Sequence, residues 1–320
     1  MATAILRTES LSKTFEVGVR RRRVDAVRDL SLSVEEGEIF GFVGPNGAGK
    51  TTTIKMLMGL IFPTGGRASI FEAPIPSLAA KARIGYLPEN PSYYEFLTGR
   101  EALRFFGDLS GVRGATLEAR ATELLQLVGL ADAGERQIRK YSKGMQQRLG
   151  IAQALVGDPA FLVLDEPMSG LDPIGRKEVR DLVLELKRRG KTVFFSTHIL
   201  PDVESLCDRV GVILGGRLRD VGRISDLLSA RVRSVEVVVD VPEGAREAVS
   251  RGRRLFQEGA RLGLAFPDLP SANSAAQAVL AAGGALVSLV PHRETLEDFF
   301  LRRLEEGRAA GEAGRAPEIG

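Results

Sequence analysis

The sequence predicts an α/β domain built on a parallel sheet, followed by a small α+β domain. Three observations carry that expectation. Up to about residue 225, short apolar runs alternate with runs of helical period, the order that builds a parallel sheet. The runs Phe161-Leu162-Val163-Leu164 and Val193-Phe194-Phe195 are apolar on both faces, as strands in the middle of such a sheet are. Near residue 230 the pattern changes, and SVEVVVD over 234–240 alternates like a strand with one wet face.

In chain order, strands are expected over 4–6, 30–34, 39–43, 68–70, 84–87, 161–164, 192–196 and 210–214. Helices are expected over 50–58, 100–109, 117–128, 143–155, 175–189 and 199–207. The stretch from about 90 to 155 is nearly all helix and reads as a subdomain inserted between strands. The first domain therefore spans 1–228. The second, 229–305, reads as a strand (234–240), a helix (243–251), two short strands around Gly259 (255–266), a helix (271–282), a strand (285–290) and a last helix (295–304). That order is compatible with a ferredoxin-like domain. Residues 306–320 have the composition of a disordered tail.

Composition narrows the function. With 44% hydrophobic and 27% charged residues, the 320-residue chain is an ordinary packed protein of about two domains. No run reaches the roughly 18 apolar residues of a membrane helix; the nearest, 278–290, contains Gly283 and Gly284. The opening MATAILRTES has no export-signal pattern, so a cytoplasmic location is expected. One cysteine, Cys207, and two histidines, His198 and His292, exclude a disulfide framework and disfavour a Cys- or His-based metal centre. The net charge of +3, the absence of Trp and 6% aromatic residues argue against a nucleic-acid partner. The run Arg20-Arg21-Arg22-Arg23 reads as a solvated hairpin tip, with a phosphate-binding patch as the alternative.

Between the strand at 39–43 and the helix at 50–58 lies Gly44-Pro45-Asn46-Gly47-Ala48-Gly49-Lys50-Thr51-Thr52, which fits GxxxxGK[ST] in the context that motif requires. Gly44, Gly47 and Gly49 let the backbone wrap phosphate oxygens with its N–H groups inward. The helix start adds its positive end. Lys50 is placed to reach the β- and γ-phosphates, Thr51 to ligate Mg²⁺ and Thr52 to bond phosphate.

FLVLDEP, residues 161–167, is an apolar strand ending in two acids, at the sheet edge where α/β proteins bind ligands. Asp165 is placed to orient Mg²⁺ and Glu166 to polarise an attacking water; the alternative is an acidic pair capping a turn. His198 follows another apolar strand and could bond a γ-phosphate, or simply cap the next helix.

Together these segments resemble the ATP-binding subunit of an ABC transporter. YSKGMQQRLGIAQAL, 141–155, resembles the family signature and its helix, with Ser142, Lys143, Gly144 and Met145 at its head. Ser169-Gly170-Leu171-Asp172-Pro173 resembles the D-loop, Ser196-Thr197-His198 the switch histidine, and Leu11 to Phe15 the adenine-stacking segment, with Phe15 as the aromatic. The resemblance covers about residues 4–225. Two positions depart from it. Lys143 replaces a usual Gly of LSGGQ, and Glu89 in YLPEN replaces the usual Gln while keeping an oxygen for Mg²⁺ or water. Both substitutions, and the segment ending ETLEDFFLRRL, are similar to exporter-type subunits with a small C-terminal accessory domain.

The resemblance implies a P-loop ATPase fold, ATP and Mg²⁺ as cofactors, and a head-to-tail dimer with Ser142 and Gly144 covering ATP bound by the other subunit. It also implies a separate membrane permease that carries the cargo, and so a position on the inner face of the cell membrane. The permease contact is expected near Glu89 and the helical subdomain, with Tyr93, Tyr94 and Phe96 lining a groove or else packing on themselves. The resemblance leaves the cargo, and the choice between two identical copies and a heterodimer, open. A soluble ATPase acting on DNA or ribosomes remains an alternative. It would need a long coiled coil or a second cassette, and the chain shows neither. A small-molecule kinase would leave the signature, the D-loop segment and His198 unexplained.

Overall fold

A computed structural model describes residues 3–18, 22–228, 232–242, 252–293 and 295–309. Residues 243–251, expected to be helical, lie outside them, as do Arg20, Arg21 and 310–320 of the expected tail. The chain divides into two compact units, Met1–Ile224 with Arg303–Gly320, and Ser225–Arg302.

In chain order the first unit carries β1 (Ala4–Val17), β2 (Arg22–Glu35), β3 (Ile39–Val43), α1 (Lys50–Leu57), β4 (Gly65–Ile70), β5 (Ala73–Pro74), α2 (Leu78–Lys81) and β6 (Ile84–Leu87). It continues through α3 (Gly99–Leu109), α4 (Gly114–Leu127), two 3₁₀ turns, α5 (Lys143–Leu155), β7 (Phe161–Asp165), α6 (Pro173–Arg188), β8 (Thr192–Thr197), α7 (Leu200–Leu206), β9 (Arg209–Leu214) and β10 (Arg217–Arg223). The short α8 (Ile224–Leu227) follows.

The central sheet runs β10-β9-β3-β8-β7-β6. Its pairs are parallel except β10, which returns antiparallel along β9. Every residue of β3, β7 and β8 is buried, which explains why these strands read as unbroken apolar runs. A second sheet, β2-β1-β4-β5, is antiparallel. Its hairpin arms are 14 residues each, far longer than the strands expected over 4–6 and 30–34. Register shifts between Thr8 and Leu11 and between Leu11 and Thr14, with positive φ at Ser10 and Asp29, break the two-residue period that would have marked them. The hairpin pairs Val17 with Arg22 and Glu16 with Arg23, so the last two arginines of the basic run open β2.

Local chemistry sets the helix starts. Thr98 and Glu101 form a capping box at α3, and Ser142 and Asp172 cap α5 and α6 through Met145 N and Gly175 N. Below β3, Gly41 leaves room for Cys207 Sγ, which lies 2.7 Å from where a Cβ on Gly41 would stand.

The second unit holds β11 (Val232–Asp240), β12 (Arg253–Glu258), β13 (Arg261–Phe266), α9 (Leu269–Ala281), β14 (Ala285–Arg293) and the first half of α10 (Leu296–Ala309). Its sheet order is β12-β13-β11-β14, antiparallel throughout. Ala272, Ala275 and Val279 of α9 close its core against Val235, Val237, Val239, Leu262, Leu264 and Phe266. The α10 backbone runs on to Ala309, past the expected end at 304; Glu305, Glu306, Arg308 and Ala309 favour helix and outweigh Gly307 between them.

Candidate active site

The loop between β3 and α1 is held from below. A Cβ on Gly49, at φ +107, would stand 2.5 Å from the Ala26 carbonyl, and one on Gly44 would strike the Ile213 carbonyl. Only glycine allows both close approaches. Gly44 N donates to Thr197 O at 3.3 Å, and Ala48 N to Pro45 O at 3.1 Å, which joins the loop to the end of β8 and closes its turn. Gly49 caps α1 without a side-chain bond, so the Lys50, Thr51 and Thr52 end presents backbone donors, the arrangement that receives phosphate.

Lys50 is buried; it donates to Gly44 O at 2.8 Å and Pro45 O at 3.2 Å, and its ammonium forms an ion pair with Glu166 Oε1 at 3.2 Å. Glu166 follows β7 at φ +50, an uncommon conformation for a residue with a side chain. Its N–H donates to Ser196 Oγ at 3.0 Å. Its other carboxylate oxygen, Oε2, lies 2.9 Å from His198 Nδ1. His198 therefore joins the acid; the cap position of α7 belongs to Ile199.

Asp165 Oδ1 accepts from Ser196 Oγ at 2.6 Å and lies 3.4 Å from Thr51 Oγ1. Its Oδ2 is buried without a hydrogen-bond partner among the described residues. Burial pushes the Asp165 carboxyl above the usual range; bonds from Ser196 and Thr51 oppose that, and the charges of Glu89 and Glu166 add to it. An orphaned carboxylate oxygen beside a threonine hydroxyl is a donor set that fits a hard divalent cation such as Mg²⁺. Glu89 is exposed, and its charge bears on Asp165 and on Tyr86. Burial first, then the Asp165 and Glu89 charges, push the Tyr86 phenol up to about 12.

Phe15 lies on β1, opposite Val24, 36% exposed, with Lys13 Nζ 5.1 Å from its ring centre. Ala26, which touches Gly49, is two residues beyond Val24, about 7 Å along the strand. The hairpin thus presents an aromatic face beside the phosphate loop. The signature residues do not join this constellation within one chain. Among the described residues, no hydrogen bond or ion pair links Ser142, Lys143, Gly144 or Met145 to residues 44–52. They meet the D-loop segment of their own chain instead. The Lys143 side chain lies over Gly170 (φ +67), and a Cβ on Gly144 would stand 3.9 Å from Leu171 Cδ2. Ser169 N donates to Glu166 O, which ties that segment back to the acid.

A family model described as ABC transporter matches residues 27–169. An uncharacterized ABC transporter ATP-binding protein of Synechocystis is 42% identical, over 94% of this chain and 85% of its own length. The chain belongs to the ABC transporter ATP-binding family. A fluoroquinolones export ATP-binding protein of Mycobacterium tuberculosis is 44% identical over 65% of the chain and 68% of its own length. A solved ATP-binding subunit of an ABC transporter superposes with a TM-score of 0.62 at 32% identity, covering 70% of this chain and 91% of that one. The first unit is thus an ABC ATPase cassette. No described helix is long and apolar enough to cross a membrane.

Within this ABC cassette the expected aromatic groove is differently composed. Tyr93 turns inward, and burial raises its phenol above the usual range. Tyr94 and Phe96 are 55% and 67% exposed and pack on each other at 5.8 Å. They are joined by Phe105, 5.6 Å from Tyr94 and 39% exposed. The sequence reading missed Phe105 because a phenylalanine at helical spacing is read as core. Its neighbour Phe106 lines a cleft of about 390 Å³ with Tyr86, Leu109, Gln153 and Val156.

Proposed function

We propose that the chain hydrolyses Mg²⁺-ATP as one half of a head-to-tail dimer and thereby drives export through a separate membrane permease. The observation that carries this reading is the meeting of Lys50, Thr51, Asp165, Glu166 and His198 at the ends of β3, β7 and β8, while Ser142 stands apart from them. ATP phosphates would lie in the 44–52 loop, with adenine on Phe15. Mg²⁺, held by Thr51 and Asp165 with Glu89 nearby, would neutralise phosphate charge. Glu166 would take the proton of the attacking water, and His198, bonded to it, would hold that carboxylate in place. The site lacks a second wall over the γ-phosphate. The capped start of α5 in a second copy supplies one, because its free N–H groups and dipole suit an anion.

Export is supported by the Mycobacterium relative together with Glu89 and Lys143. The exposed Tyr94–Phe96–Phe105 cluster suits a cytoplasmic helix of the permease, and would hold the chain on the inner face of the membrane. The test uses Glu166→Gln. With Mg²⁺-ATP it should run as a dimer on size exclusion and with ADP as a monomer. A monomer under both conditions would overturn the shared-site reading. Co-purification of a multi-span membrane protein, lost on Phe96→Asp, tests the permease contact.

A further inference from the structure

We infer that Gly150, in the middle of α5, is the seat that positions Glu89, with Leu87 and Tyr93 as the two clamps that hold the Glu89 loop on it. The inference rests on the reading of Glu89 and Ser142 given above and adds the part that joins them. Glycine weakens a helix interior, so a buried one needs a reason. Here the reason is close approach from one side. A Cβ on Gly150 would stand 2.5 Å from Leu87 Cδ1 and 2.8 Å from the Tyr93 hydroxyl. Leu87 is the last residue of β6 and is 1% exposed. Tyr93 donates at 3.3 Å to the Gln146 carbonyl, one turn earlier on α5. The chain from 87 to 93 therefore leaves the sheet at Gly150 and returns to it, with Glu89 between.

A second glycine reinforces the contact. Gly85 on β6 faces the Ala154 carbonyl of α5 where a Cβ would not fit. Strand β6 and helix α5 are thus pressed together at 85 and 87. The same helix begins at Ser142, eight residues and about 12 Å from the seat. The signature serine and the seat of the Glu89 loop therefore lie on one helix, and how closely Leu87 and Tyr93 sit on Gly150 bears on where Glu89 stands.

The full-length chain tests this by double-mutant cycles on ATP turnover. Gly150→Ala should lower kcat about tenfold, with KM for ATP and ADP affinity unchanged. In a Glu89→Ala background the same change should lower kcat less than about twofold, because the side-chain oxygen it displaces is already gone. Tyr93→Phe, which keeps the ring and removes only the hydroxyl, is the gentler second variant should Gly150→Ala not fold. It should show the same non-additivity with Glu89→Ala at a smaller amplitude. Effects that multiply in the cycle would overturn the inference and leave Gly150 a packing residue. Should Glu89→Ala alone turn over like the parent, the role given to Glu89 falls, and the inference with it. Should Glu89→Ala be slow but uncoupled, the inference alone falls.

Discussion

Lys50 Nζ stands 3.2 Å from Glu166 Oε1, and each side chain is 6% exposed. The two groups read as phosphate ligand and catalytic base are therefore each other's counter-ion. Phosphate binding would exchange Glu166 for oxygens of the nucleotide and release the carboxylate toward water.

Lys50→Met leaves Glu166 buried beside His198 alone. Removing one partner of a buried pair costs about 3 kcal/mol or more. Urea unfolding without nucleotide should show a loss of this size, in addition to lost ATP binding.

Glu166→Gln keeps shape and hydrogen-bonding capacity but removes the base. Turnover should fall on the order of 100- to 10,000-fold, as for loss of a general base. ATP affinity, measured by fluorescence titration, should change little. Parent-like turnover would remove Glu166 from its role.

Phe15→Ala removes the ring that faces solvent beside the phosphate loop. ATP binding should weaken by about 1 to 3 kcal/mol, the range of base–aromatic stacking. Calorimetric titration with ATP and with inorganic triphosphate separates the causes, since only ATP should lose affinity.

Asp202, in the first turn of α7, is buried with Oδ2 unbonded among the described residues. Burial raises its carboxyl, and Glu166 adds to this, while Arg176, Arg180 and His198 oppose it. The folded state thus holds this proton more tightly than the unfolded chain. Stability from this group is greatest below the unfolded value of about 3.9 and falls as pH rises through the raised folded one. Asp202→Asn should therefore gain melting temperature relative to the parent between pH 4 and neutrality. A constant difference across that range would contradict the assignment.

The phosphate loop and the ends of β7 and β8 were legible because their chemistry is local. A glycine-lysine-threonine sequence after an apolar strand, or two acids ending one, has few structural uses. Features set by contacts between distant segments were not. The hairpin arms were hidden by bulges near Ser10 and Asp29. Tyr93 turned inward and Phe105, which the sequence did not single out, faces outward, because spacing along a chain does not tell an inward ring from an outward one. Gly150 looked like one more small residue in a helix until Leu87 and Tyr93 were seen against it.

Cys207 is the chain's sole cysteine, tucked against Gly41, and desolvation holds its thiol well above the usual range. Only the thiolate reacts with maleimides or disulfides. A probe cysteine placed at an exposed position away from the nucleotide and the Tyr94–Phe96–Phe105 cluster, such as Leu78, would carry a fluorophore or spin label without first stripping the native one. Opening and closing between two copies can thus be followed by distance measurement on an otherwise unaltered chain.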